Sequence, residues 1–151
     1  MGFLDNLKNS LSTVSGQLTD QVSRFRSADF AEATMSICAL IAAADGSISP
    51  DERRKVAGFI TSNDSLKVFQ AADLKARFDK YCDKLTQDYD FGRIEAIQAI
   101  GKLRSKPDQA RAVIQLGLII GAADGTFDEA ERVQVRDAAR AVNLDPVEFG
   151  V

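Results

Sequence analysis

Apolar residues at Leu4, Leu7, Leu11, Val14, Leu18, Val22 and Phe25 recur at intervals of three and four. That period places them on one face of a helix. The opposite face is rich in Ser, Thr, Asn and Gln, which are poor helix formers, so residues 1–26 are expected to form an amphipathic arm that frays when unpartnered. Beyond it the apolar positions become denser. A helix is expected over 29–44, and Ser49 followed by Pro50 opens another that runs to Ser62. Asn63, Asp64 and Ser65 mark a break. A short turn and a helix over 73–87 follow. Asp90 is expected to cap a helix over 91–104, Pro107 to sit in the first turn of one ending near Ala123, and Asp128 to cap one ending near Val142. Asp145-Pro146 begins a last short turn. No stretch alternates strongly enough to demand a strand. The expected class is all-α: a compact bundle of about seven helices, with the arm at 1–26 and a helical domain at 27–151.

Two phrases in this pattern match. AADGSISPDE begins at Ala43 and AADGTFDEAE at Ala122, 79 residues later. The match extends over 31–60 and 110–139: under the same shift Ala31, Ala33, Arg53 and Val56 also meet identical residues. Two related helix–turn–helix units are implied, joined by the helices of roughly 63–106. Their expected arrangement is pseudo-two-fold, with both Asp-Gly turns at one end.

The turns support two readings. Gly46 and Gly125 suit the left-handed position that ends a helix, Ser49-x-x-Glu52 reads as a capping box, and Asp128-x-x-Glu131 is its acidic equivalent. On that reading Glu52 and Glu131 only reach back to backbone N–H groups. Asp45 and Asp124, however, sit at the negative ends of helices, which costs on the order of 0.3–1 kcal/mol each. A cation would reverse that sign. The spacing from Asp45 to Glu52, and from Asp124 to Glu131, matches positions five to twelve of an EF-hand loop. The two earlier ligand positions would be Ile41 and Ala43, or Ile120 and Ala122, which cannot coordinate. One half-loop would therefore bind weakly, whereas two together would pool Asp45, Glu52, Asp124 and Glu131, with Ser49, Asp51, Asp128 and Glu129 nearby.

Composition narrows the chemistry. The chain has 151 residues and no histidine, which excludes His-based triads and His-ligated zinc or iron. Any metal site is built mainly from oxygen and favours a hard cation such as Ca²⁺, Mg²⁺ or Mn²⁺. Cys38 and Cys82 form no CxxC motif, so thiol catalysis is not expected; Cys38 reads as buried and Cys82 as more open. A net charge of -3 argues against a nucleic-acid partner. No apolar run is long enough to span a bilayer. No signal peptide is seen, and Asn6 stands where a myristoylation motif wants Ser or Thr. Arg53, Arg54 and Lys55 read as a solvated surface. The arm carries too few cations to bind anionic lipid strongly, so packing or a protein partner is expected for it.

With both AADG turns and their glutamates in frame, and with the opening MGFLDNLK, the chain resembles the TerB-like tellurite-resistance family over essentially its full length. The resemblance implies a bacterial, cytoplasmic, all-helical and non-enzymatic stress-response protein, active against tellurite and in some settings against phage and pore-forming colicins. It implies metal binding through acidic residues, which map to Asp45, Glu52, Asp124 and Glu131. It also implies work with the membrane protein TerC at the inner face of the cytoplasmic membrane. The alternative is a scaffold whose acidic patch binds a protein partner without metal.

Overall fold

The computed structural model describes residues 17–151. Six helices follow one another: α1 (Ala28–Ala42), α2 (Pro50–Ser62), α3 (Ala71–Gln87), α4 (Tyr89–Gly101), α5 (Pro107–Gly121) and α6 (Glu129–Ala141). Residues 17–22 are also helical, and 3-10 turns occupy Asp64–Leu66 and Pro146–Phe149. There is no strand among the described residues. The protein is all-helical, as the apolar periodicity predicts.

The centre of the bundle is α1. It buries eleven of its fifteen residues and touches each of the other five helices. Its small Ala and Ser side chains make that possible, because helix axes approach closely only where side chains are short. The buried hydroxyls are satisfied locally: Thr34 donates to the Phe30 carbonyl at 2.9 Å and Ser36 to that of Glu32 at 2.7 Å. On α5, Gly117 has no Cβ where one would stand 2.8 Å from Ile37 of α1. This glycine lets the two most apolar helices meet.

Charge fixes the outer contacts. Glu32 of α1 accepts from Lys80 at 2.8 Å and from Arg77 and Tyr81 at 2.5 Å, all on α3. Burial pulls the Glu32 carboxyl up, but these three donors outweigh it and hold the group below its usual range. Arg53 of α2 reaches Asp83 of α3 at 2.8 Å, and Arg54 pairs with Asp51. The basic triplet is thus not a uniformly solvated surface: Arg53 ties α2 to α3.

The first hairpin, α1 with α2, and the second, α5 with α6, have helix limits offset by 79 residues at every end. The sequence spacing therefore reappears as structure. Three expectations are corrected. The cap of α4 is Asp88, whose side chain accepts from the Phe91 N–H at 3.1 Å, and Asp90 lies within the first turn. That helix also ends at Gly101 rather than near 104. Cys82 is fully buried, because its face of α3 turns inward with Phe78 and Leu85.

Of the N-terminal stripe, Leu18 and Val22 are buried in the core. Thr19 bonds to Ser65 at 2.8 Å, and Phe25 packs against Phe30 with ring centres 5.5 Å apart. Leu4, Leu7, Leu11 and Val14 lie outside the described residues, and with them the expectations about fraying and about what the arm covers.

Candidate functional site

Each Asp-Gly turn follows from its own residues. Gly46 has φ 99° and Gly125 φ 87°, with nothing within 4 Å of a built Cβ at either, so backbone conformation and not space selects glycine. The Gly46 N–H donates to the Ala43 carbonyl at 2.9 Å, and the Gly125 N–H to that of Ala122 at 3.0 Å. The aspartate before each glycine closes an Asx turn. Asp45 Oδ1 accepts from the Ser47 N–H at 3.2 Å. Asp124 Oδ1 accepts from both the N–H and the hydroxyl of Thr126 at 3.0 Å. These bonds offset part of the unfavourable interaction of Asp with a helix C-terminus.

The helices that leave the turns are capped unequally. Asp128 and Glu131 form a complete capping box, each side chain accepting the other's backbone N–H at 3.0 Å. Ser49 accepts from the Glu52 N–H at 3.1 Å. Among the contacts of the described residues there is no return bond from the Glu52 side chain, so the expected box at 49–52 is half made. The Glu52 carboxylate stays exposed at the start of α2.

Both turns open into one cavity of about 270 Å³. Four pairs of residues line it under the 79-residue shift: Ile41 with Ile120, Ala42 with Gly121, Asp45 with Asp124, and Glu52 with Glu131. The correspondence is incomplete. The first hairpin adds Cys38, Ala44, Lys55, Val56 and Phe59, while the second adds Asp128. One side is thus mainly apolar and the other mainly acidic. Of the further acidic-patch residues, only Asp128 lines the cavity. Ser49 is used as a cap, Asp51 pairs with Arg54, and Glu129 pairs with Arg136 at 2.7 Å.

Glu131 senses its surroundings. Glu131 is raised to about 7, first by burial and then by the charges of Asp128 and Asp124, against the opposing effect of its bond from the Asp128 N–H. The thiol of Cys38 at the cavity wall is pushed far up by burial, and that of Cys82 to about 12 for the same reason. Neither offers a thiolate, so the donors available to a metal are oxygens, a set that suits a hard cation. Among the described residues, no three acidic or thiol groups stand close enough together to hold an ion. The donors are hard oxygens in kind, but they stand dispersed, and several already accept Asx or capping bonds.

Beyond Glu52, the α2 wall of the cavity is not singled out by the sequence reading. Glu52, Lys55, Val56 and Phe59 are spaced i, i+3, i+4 and i+7 on α2, which is the signature of a single helix face. That signal was present in the chain, but the charge of Arg53-Arg54-Lys55 masked it.

No helix among the described residues is long and apolar enough to cross a membrane. No solved structure matches the chain. A protein from Alcaligenes sp. named tellurium resistance protein TerB is 32% identical over 118 residues, covering 78% of this chain and 97% of that protein. The family described as tellurite resistance protein TerB matches residues 31–150. With that match over both hairpins and the cavity between them, the chain belongs to the TerB family.

Proposed function

We propose that the chain serves tellurite resistance as a non-enzymatic interaction module whose cavity binds a divalent cation, Ca²⁺ in the first instance. Asp45, Glu52, Asp124 and Glu131 are the donors in this reading. The observation that carries it is the delivery of all four carboxylates, from turns 79 residues apart, to one cavity. The raised Glu131, pushed up first by burial and then by the charges of Asp128 and Asp124, supports it, since a positive charge would favour its ionised form. A bound cation would supply that charge and bridge the two hairpins, stabilising the state in which they are docked. The partner is a membrane-associated protein, TerC by family resemblance, and the location is cytoplasmic, at the inner face of the membrane.

The test is an NMR titration of metal-free protein with Ca²⁺, with Mg²⁺ in parallel. Saturable shifts centred on 45–52 and 124–131 are expected. Exchanging Asp45 and Asp124 together for Asn should weaken binding roughly tenfold or more, because affinity follows ligand charge. Asn keeps the Asx acceptor, so the fold is retained. Unchanged affinity in that double variant sinks the reading.

A second reading has its own observation: every one of Asp45, Asp124, Asp128 and Glu131 already accepts a local backbone bond. In this case the turns are caps only, and the module is a scaffold that meets its partner without metal. A flat response at millimolar Ca²⁺ and Mg²⁺ selects it.

A further inference from the structure

The cavity has a property that a small cation leaves unused. Ile41, Val56, Phe59 and Ile120 give it an apolar lining, while Asp45, Glu52, Asp124, Asp128 and Glu131 stand around it. The carboxylates are distributed and not gathered into a coordination shell. A bare ion touches oxygen only. A guest with an aliphatic stem and a broad cationic head matches both the lining and the spread of the acids.

We propose that this cavity is the socket for an arginine side chain presented by a protein partner. The stem lies against Val56 and Phe59, and the guanidinium faces Asp45, Asp124 and Glu131. Arginine fits better than lysine for two reasons. Its planar head offers five donors that reach separate carboxylates, and it is more weakly hydrated, so an apolar wall strips its water at less cost. Charge complementarity favours entry, because five acidic side chains face a single ammonium, that of Lys55. Lys55 is exposed and is outnumbered by the acids of the lining, so the net charge there favours an incoming cation. The inference rests on the interaction-module reading and names the chemistry of its partner. Cation and arginine then compete for the same acids.

The experiment uses the full chain and 1-butylguanidinium as probe, with guanidinium and 1-butanol as controls and Ca²⁺ as a separate titrant, read by NMR. Butylguanidinium should produce saturable shifts at Ile41, Val56, Phe59 and Ile120 together with Asp45, Asp124 and Glu131. Guanidinium without the stem should bind on the order of tenfold or more weakly, having no methylenes to bury. Asp124→Asn should weaken the probe roughly threefold or more by removing a charged acceptor, and Lys55→Met should tighten it. The proposal is overturned if butylguanidinium binds no better than guanidinium, if 1-butanol reproduces its shifts, or if the shifts fall on Asp79 and Asp83 instead. Binding of the probe without any Ca²⁺ response defeats the cation reading alone. A Ca²⁺ response without probe binding defeats the arginine socket alone.

Discussion

Glu131 holds two roles in one carboxyl group. One oxygen completes the capping box of α6, and the group also lies partly buried beside Asp124 and Asp128. Its folded value near 7 lies above the ordinary carboxylate value of 4.5. The folded protein therefore holds this proton more tightly than the unfolded chain. Stability from this group is fully present below the ordinary value and is lost as pH rises through about 7. Glu131→Gln keeps a capping acceptor and removes the charge. Its melting temperature relative to the parent should rise between pH 5 and pH 7, a window on the order of the shift itself. Parallel melting curves for the two proteins across that range would show that the folded state does not hold the Glu131 proton more tightly.

At the scale of elements, α3 and α4 show how tightly a junction can be drawn. Asp88 alone joins them, ending one helix and capping the next. The turn is tight enough that a Cβ on Gly92 would stand 2.7 Å from the backbone of Lys84. Backbone cannot step aside, so Gly92→Ala should destabilise by about 1–3 kcal/mol in chemical denaturation. Gly58 in α2 is the control: nothing lies within 4 Å of its built Cβ. There alanine should stabilise by up to about 1 kcal/mol, through helix propensity. Equal effects at the two sites would show that packing at the junction is loose. The same junction shows where sequence reasoning stops. Helix number and the ends of α2 are legible from Ser49, Pro50 and the spacing of apolar residues. The choice between Asp88 and Asp90 as cap is not, because both precede an apolar run and only the close approach of α3 decides. Cys82 fails for a related reason: its polar sequence neighbours Asp79, Lys80 and Asp83 suggest exposure, but they point to other sides of α3. The four carboxylates repeated between the turns stand out in the sequence because duplication writes them twice, and all four line the cavity. Lys55 and Phe59 do not stand out, because their counterparts Gln134 and Ala138 differ.

The whole molecule is organised around a helix that has almost no surface. Each of the other five helices rests on α1, and Phe30, Met35, Ile37 and Leu40 are at most 1% exposed. Opening α1 means undocking everything else, so its amides should exchange with solvent only through global unfolding. Native-state hydrogen exchange should show the slowest amides at 33–41 and faster ones in α2, which buries a single residue, Ile60. Faster exchange in α1 than in α5 would overturn this hierarchy.

The division of the cavity between two hairpins bears on how the chain is made. Its apolar wall is encoded by residues 38–59 and most of its acidic side by residues 120–131. Synthesis runs from the N-terminus, and domains generally fold as units. A ribosome-bound chain that has reached only Pro107 carries Cys38, Ile41, Val56 and Phe59 with nothing opposite them. During that interval the future cavity is an uncovered greasy strip, of the kind that chaperones recognise, and the arrival of α5 and α6 turns it into a charged pocket.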